Sequence, residues 1–324
     1  MSRQTRRRLT GPRAVAILSV CLAAIALVLA SQAAGAAQPT AHTGEASQLT
    51  VSSTTLNGSV YPGGIPVSYH FEYGLTSAYG TQSPSTPVAA GTQTIHVQVA
   101  LAGLQAGTTY HYRLVVVSAG GAVDGVDRTF VTKKVPLTFP VLLIPHRVAF
   151  ERPFSVSGVL SGTESAGHPV VLQVNPFPYL GGFRSVGPTR LTGADGTFSF
   201  KIAGLSENTQ LRVATVGLQP TLSRITAALV TVRVTLHVRS TGRPGFVRLY
   251  GTVTPGQPGA AVEIQLLRRG RRPLGVGSTP GLSGTRTSSF GRVLRIHNTG
   301  LYRAYVHVSS GEQVSGSSAP ILIR

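Results

Sequence analysis

The chain is poor in the residues that carry redox and acid chemistry. Its one cysteine, Cys21, lies in an apolar run near the N-terminus. Once a leader holding that residue is removed, disulfides, thiol catalysis and cysteine-bound metals are excluded, and each domain must stand on its apolar core. Acidic residues number ten in 324, and charged residues of both signs reach only 12%. Helical bundles and coiled coils depend on Glu and Lys at helical spacing, so that scarcity argues against them. Outside the N-terminal run no window of helical length shows convincing apolar spacing at i, i+3, i+4 and i+7. Catalytic signatures are missing as well: there is no G-x-S-x-G, no H-E-x-x-H and no G-x-x-x-x-G-K-[ST]. With the carboxylates scattered, the expectation is a protein without catalytic residues, cofactor or metal.

What is present begins with export chemistry. Arg3, Arg6, Arg7, Arg8 and Arg13 precede a run from Ala14 to Ala30 broken only by Ser19 and Cys21, and Ala34-Gly35-Ala36 supplies an A-x-A site. Residues 1–37 therefore read as a signal peptide, formed as a helix, and the protein as extracellular or in the cell envelope. The competing reading is an uncleaved anchor, since the run reaches the lower limit for a membrane span, and only that reading brings a membrane in as partner. Thr5-Arg6-Arg7-Arg8-Leu9 resembles a twin-arginine export signal, with Leu9 where an aromatic residue is common. Leu18-Ser19-Val20-Cys21 resembles a lipoprotein box, but Val20 is bulky for the position before a lipidated cysteine.

The remainder is turn-rich, with 38 Gly and 21 Pro, and long enough for two or three domains of about 100 residues. Residues 38–48 are small and polar and read as a flexible lead-in. Thereafter short alternating segments rich in Val, Thr, Leu, Phe and Tyr recur every eight to twelve residues between Gly, Pro, Ser or Asn, the pattern of all-β sandwiches. The first unit, 49–132, offers strands at Thr54 to Tyr61, Val67 to Tyr73, Thr94 to Leu101, Tyr110 to Ser118 and Val126 to Thr132. Tyr110, Tyr112, Leu114 and Val116 alternate with His111, Arg113 and Val115, predicting one core face and one solvent face. Leu104 to Tyr110 has the spacing of a tyrosine corner.

Leu56-Asn57-Gly58-Ser59-Val60-Tyr61-Pro62, His70-Phe71-Glu72-Tyr73-Gly74, Leu101-Ala102-Gly103-Leu104, Thr109-Tyr110-His111-Tyr112-Arg113-Leu114 and Thr129-Phe130-Val131-Thr132 resemble the fibronectin type III-like modules of bacterial exported proteins. The resemblance implies a seven-stranded sandwich and no reaction, because such modules serve as spacers and binding surfaces alike. No Arg-Gly-Asp tripeptide occurs. Asn57-Gly58-Ser59 matches a glycosylation acceptor but falls in a strand of that resemblance.

Lys133-Lys134-Val135-Pro136 marks a boundary. The second unit, 135–233, offers Phe154 to Leu160, Val170 to Val174, Phe198 to Ile202, Leu211 to Val216 and Leu229 to Arg233. The third, 234–324, offers Val247 to Val253, Ala261 to Leu267, Gly291 to Ile296, Tyr302 to Val308 and Ala319 to Ile323. The two resemble diverged copies of one immunoglobulin-like module: Phe154-Ser155-Val156-Ser157-Gly158-Val159 answers Val247-Arg248-Leu249-Tyr250-Gly251-Thr252. Leu229 to Val238 has no Gly or Pro, so the last strand of one unit is expected to run straight into the next as a semi-rigid joint. The fold class is thus three tandem immunoglobulin or fibronectin type III-like β-sandwiches, forming a rod.

Two stretches are candidate binding sites. In Asn175-Pro176-Phe177-Pro178-Tyr179, two prolines hold Phe177 and Tyr179 in an extended loop that presents rings to a ligand, or folds them over a sandwich end. The third unit holds twelve arginines against Glu263 and Glu312. Arg268, Arg269, Arg271 and Arg272 fall in one loop, and Arg303 and Tyr305 share one side of a strand, so a cell-envelope polysaccharide or another anionic polymer is a candidate partner, beside a protein. Composition is the competing account, with 26 Arg against 3 Lys among the 29 basic residues. Asp124-Gly125-Val126-Asp127 reads as a turn or a calcium loop, and His146, His168, His297 and His307 have no ligand partner at metal spacing. The leading expectation is a scaffold or adhesion protein.

Overall fold

A computed structural model of the chain describes residues 38–279 and 281–324. The export segment lies outside the described residues. Every regular element described is a β-strand, and the chain divides between Val135 and Pro136 into two compact units. Three separate apolar cores follow one another along the sequence, one in the first unit and two in the second.

The first unit is one module. Its strands are β1 (Thr40–Thr43), β2 (Ser53–Tyr61), β3 (Val67–Gly74), β4 (Thr81–Gln82), β5 (Thr86–Val88), β6 (Ile95–Ala102), β7 (Thr109–Ser118), β8 (Gly121–Asp124) and β9 (Arg128–Val131). One sheet runs β1-β2-β6 and the other β4-β3-β7-β8, with β5 on β3 and β9 on β7. Tyr110, Tyr112, Leu114 and Val116 of β7 all turn inward onto Leu56, Val60 and Phe71, and Val115 is buried as well. Burying a side chain such as Phe71 contributes about 1.5–3 kcal/mol.

Residues 38–48 are not a loose lead-in. Thr40–Thr43 pairs residue by residue with Gly58–Tyr61, and Ala41 and Ala46 pack on the core. Thr43 is buried, its Oγ1 accepting the Leu114 N–H at 3.1 Å. The Tyr112 hydroxyl donates to the Gly44 carbonyl at 2.7 Å. Small residues are required here because the strand lies close against its neighbours: a Cβ on Gly44 would meet the Asn57 carbonyl oxygen at 3.0 Å. The strand expected at Val126 to Thr132 is shorter, Arg128–Val131, with Gly125 to Asp127 separating it from β8.

Module two comprises β10 (Thr138–Leu143), β11 (Arg147–Ala149), β12 (Phe154–Ser161), β13 (Pro169–Pro176), β14 (Arg184–Leu191), β15 (Thr197–Ile202), β16 (Thr209–Thr215) and β17 (Thr226–Thr231). Sheet β10-β12-β15 faces sheet β11-β17-β16-β13-β14 across Val156, Leu160, Leu172, Leu211 and Val213. The pairing of β11 with β17 is parallel.

Module three comprises β18 (Arg233–Val234), β19 (His237–Ser240), β20 (Phe246–Thr254), β21 (Val262–Leu266), β22 (Leu274–Ser278), β23 (Ser288–Arg295), β24 (Gly300–Val306), β25 (Gly316–Ser317) and β26 (Ile321–Ile323). Both β18 and β19 line one edge of β20, and β23 lines the other. The second sheet is β22-β21-β24, with β25 and β26 on the far edge of β24. Phe290 is buried and Leu294 packs on the core while Val293 is 53% exposed, which fixes the inward phase of β23.

Modules two and three form a single compact unit, and the boundary lies slightly earlier than Arg233. Val232 belongs to the core of module three, and Arg233 and Val234 pair with Thr254 and Val253. The chain crosses between the two modules over one residue, since β17 ends at Thr231. Backbone pairing continues through the crossing. The Val314 N–H donates to the Val230 carbonyl at 2.8 Å and the Val232 N–H to the Val314 carbonyl at 3.2 Å. This is the direct strand-to-strand joint that the unbroken Leu229 to Val238 run predicts.

Candidate functional site

Arg268, Arg269, Arg271 and Arg272 occupy the turn between β21 and β22 and are all exposed. The Arg268 guanidinium folds back on the loop, donating from Nε and Nη2 to the Arg272 carbonyl at 3.2 and 2.9 Å. Arg303 and Tyr305 project from the outer face of β24. Nε of Arg303 donates to Gln265 Oε1 at 2.9 Å, and its guanidinium carbon lies 5.9 Å from the Tyr305 ring centre. That face is not uniformly basic, because Glu263 stands directly opposite Tyr305 in the ladder.

The Asn175 to Tyr179 loop does not present two open rings. The Tyr179 N–H donates to the Pro176 carbonyl at 2.7 Å, and Asn175 Nδ2 donates to the Tyr179 carbonyl at 3.0 Å, which tightens the loop. Phe177 and Tyr179 meet edge to face with ring centres 5.6 Å apart. Phe177 is seated on the backbone of Gly311 in module three, where φ is +79°. Glycine is required at that point: its backbone is left-handed, and a side chain would displace the ring.

Beside Phe177 stands Asn208, buried and fully committed. Its N–H donates to the Glu312 carbonyl at 2.6 Å, and its carbonyl accepts the Phe177 N–H at 2.9 Å. Oδ1 accepts the Val230 N–H at 2.7 Å, while Nδ2 donates to the Gly311 carbonyl at 2.7 Å. Gln313 Nε2 adds a bond to the Ser206 carbonyl at 2.9 Å. The loop is thus half of a lock between modules two and three, with Phe177 folded over the end of its sandwich. No sequence signal pointed to Gly311, Glu312 and Gln313, which lie more than a hundred residues downstream.

In module one the tyrosine corner forms, with the Gln105 N–H donating to the Tyr110 hydroxyl at 3.0 Å. Tyr302 makes a second, unpredicted anchor of this kind in module three, its hydroxyl donating to the Asn298 carbonyl at 2.6 Å. On the outer face of module one, Arg113 binds Glu72 through Nε and Nη2, each at 2.8 Å, and Asp124 through Nη1. Asp127 accepts the Tyr79 hydroxyl at 2.9 Å and bonds His111 Nδ1 at 2.9 Å. Burial, with help from Asp127, pushes the Tyr79 phenol up to about 12. The two carboxylates of Asp124-Gly125-Val126-Asp127 thus face cationic or donor side chains on β7 and its neighbours. Among the described residues no group of three or more His, Cys, Asp or Glu is arranged to hold a metal. Asn57 donates from Nδ2 to the Glu45 carbonyl at 2.7 Å, tying β2 to the segment after β1.

Neither a family model nor a curated protein sequence matches the chain. Among solved structures, the sensor domain of the anti-sigma factor RsgI4 in Pseudobacteroides cellulosolvens is similar to 30% of the chain over 90% of its own, at 18% identity and TM-score 0.25. The FN1-FN3 domains of chicken CNTN1 cover 89% of this chain and all of their own, at 11% identity and TM-score 0.30. Domains A168-A170 of titin cover 88% and 98%, at 13% identity and TM-score 0.32. The all-β sandwich architecture stands on the sheet registers themselves.

Proposed function

We propose that the chain is a non-enzymatic, exported or cell-surface scaffold or adhesion protein built of β-sandwich modules. The observation that carries this reading is the lock around Asn208. A buried asparagine with four backbone bonds, a ring seated on a glycine and a strand passing directly between sheets give modules two and three a fixed mutual orientation. Fixed orientation is what a spacer or display element needs, whereas a flexible linker would serve independent domains. The polar groups of module one act in the same sense. Glu72, Arg113, Asp124, Asp127, Tyr79 and His111 bond one another on a sheet face and brace β3, β7 and the β8 to β9 segment.

Export is tested by the intact mass of the protein recovered from the producing cell's exterior. A chain beginning just after Ala36 or Ala37 supports the reading, and a mass retaining Arg3 to Ala30 places the protein on a membrane anchor instead.

A further inference from the structure

The outer face of the sheet formed by β19, β20 and β23 carries a charge pattern visible only once the register is known. Arg239 stands directly opposite Arg248, and Phe246 directly opposite Arg295. One row further along the face, His237 opposes Tyr250, with ring centres 5.4 Å apart. Arg243 lies over the Phe246 ring, its guanidinium carbon 4.7 Å from the centre. The Arg248 guanidinium extends across Gly291, whose missing side chain leaves the surface flat. Arg239, Arg248 and Arg295 are exposed, and none has a carboxylate partner among the described residues. Glu263 projects from the other sheet and Glu312 sits in the lock with module two.

Like charges directly opposite in a sheet are destabilising, so an unrelieved Arg239 to Arg248 pair is a cost to folding. General abundance of arginine does not account for it. Module two has the same strand pairing: there β10 and β12, which answer β19 and β20, read Leu143 with Ser157 and Val141 with Val159, and β12 with β15 reads Ser155 with Lys201 and Ser157 with Ser199. Module two shares the architecture and carries arginines of its own, yet places none of them on these two ladders.

We propose that this face of module three binds a linear anionic polysaccharide bearing carboxylates. Neighbouring strands are about 4.8 Å apart and alternate residues about 6.8 Å, so the guanidinium groups form a flat array suited to an extended chain with one charge per sugar. Guanidinium forks pair with planar carboxylates through two parallel hydrogen bonds, which a neutral sugar cannot match. Tyr250, 41% exposed, offers a ring against which a sugar can lie. Among the described residues module three has no helix to enter a duplex groove. The inference is independent of the scaffold reading, which rests on the joint at the opposite end of β20.

The test uses the full-length chain with polygalacturonate, neutral dextran of matched length and duplex DNA as probes, in a salt series. Polygalacturonate is expected to bind, dextran not to bind, and DNA to bind at least about tenfold more weakly. The variant Arg239→Gln, Arg248→Gln, Arg295→Gln is expected to lose about tenfold in affinity for each arginine that contacts a carboxylate. Arg248→Gln alone is expected to raise the urea midpoint while weakening binding, because it removes the repulsion with Arg239. Replacing Arg268, Arg269, Arg271 and Arg272 by Ser serves as the control and should leave binding within about twofold. The proposal is overturned if the triple variant binds as the parent does, if the control alone loses binding, if dextran binds equally, or if DNA is the tighter ligand.

Discussion

The ring of Phe177 rests on the backbone of Gly311, so close that a Cβ on the glycine would lie 2.9 Å from Phe177 Cζ. This contact joins module two to module three, and with Asn208 it explains why two separate cores behave as one compact unit. Replacing Gly311 with Ala should destabilise residues 136–324 by about 1–3 kcal/mol, from the left-handed backbone and the displaced ring together. Urea denaturation followed by tyrosine fluorescence measures it. An unchanged midpoint would show that the ring is not seated there.

Asn208→Ala removes the acceptor of the Val230 N–H and the donor to the Gly311 carbonyl, leaving both buried. The expected loss is about 2–4 kcal/mol, on the scale of one to three for each buried group left unsatisfied. Asn208→Asp keeps the acceptor but sets a buried carboxylate oxygen against the Gly311 carbonyl, so at neutral pH it should lose at least as much as the alanine variant. An aspartate variant as stable as the parent would contradict the bonding pattern.

Tyr110→Phe should cost about 1 kcal/mol, since it leaves the Gln105 N–H without its acceptor, and Tyr302→Phe should cost a similar amount at Asn298. Tyr110→Ala should be much worse, at about 3–5 kcal/mol, because it also opens a cavity against Phe130. Equal stability of the Phe variants and the parent would remove both corners from the account.

The Tyr79 phenol, held up to about 12 against an ordinary 10, makes module one sensitive to strong base. Between those values the unfolded chain releases a proton that the folded chain retains, so stability is complete below pH 10 and falls as pH rises toward 12. A spectroscopic titration at the phenolate band should show one tyrosine ionising near 12 that is missing from Tyr79→Phe. A variant curve that superimposes on the parent's would place Tyr79 outside the Asp127 network.

What the sequence disclosed followed the range of the interaction. Tyr110 and its donor partner, the Gln105 N–H, are five residues apart, and the inward phase of β7 is written in its own alternation, so both were readable locally. Thr40–Thr43 was not, because Thr-Ala-His-Thr has little apolar contrast and its strand character comes from pairing with β2. Arg184–Leu191 was missed as well, since almost all of it is exposed at a sheet edge. Phe177 stood out as unusual, and a lone aromatic between prolines reads as a ligand site or as a ring folded over a sandwich end, but its partner Gly311 is far away in the chain. The facing of Arg239 and Arg248 needed the register of two strands. The sequence showed only that module three is basic, and the loop at Arg268 to Arg272 drew attention because its arginines are adjacent in the chain.

The fixed orientation of modules two and three is tested most directly by a distance between them. With Cys21 replaced by Ser, spin labels at Leu191→Cys and Arg271→Cys report one module each, both positions being exposed. Pulsed electron resonance on the full chain should give a single narrow distance distribution, which broadens when Asn208→Ala and Phe177→Ala are introduced together. A broad distribution in the parent, indistinguishable from that of the double variant, would mean that the two modules move independently.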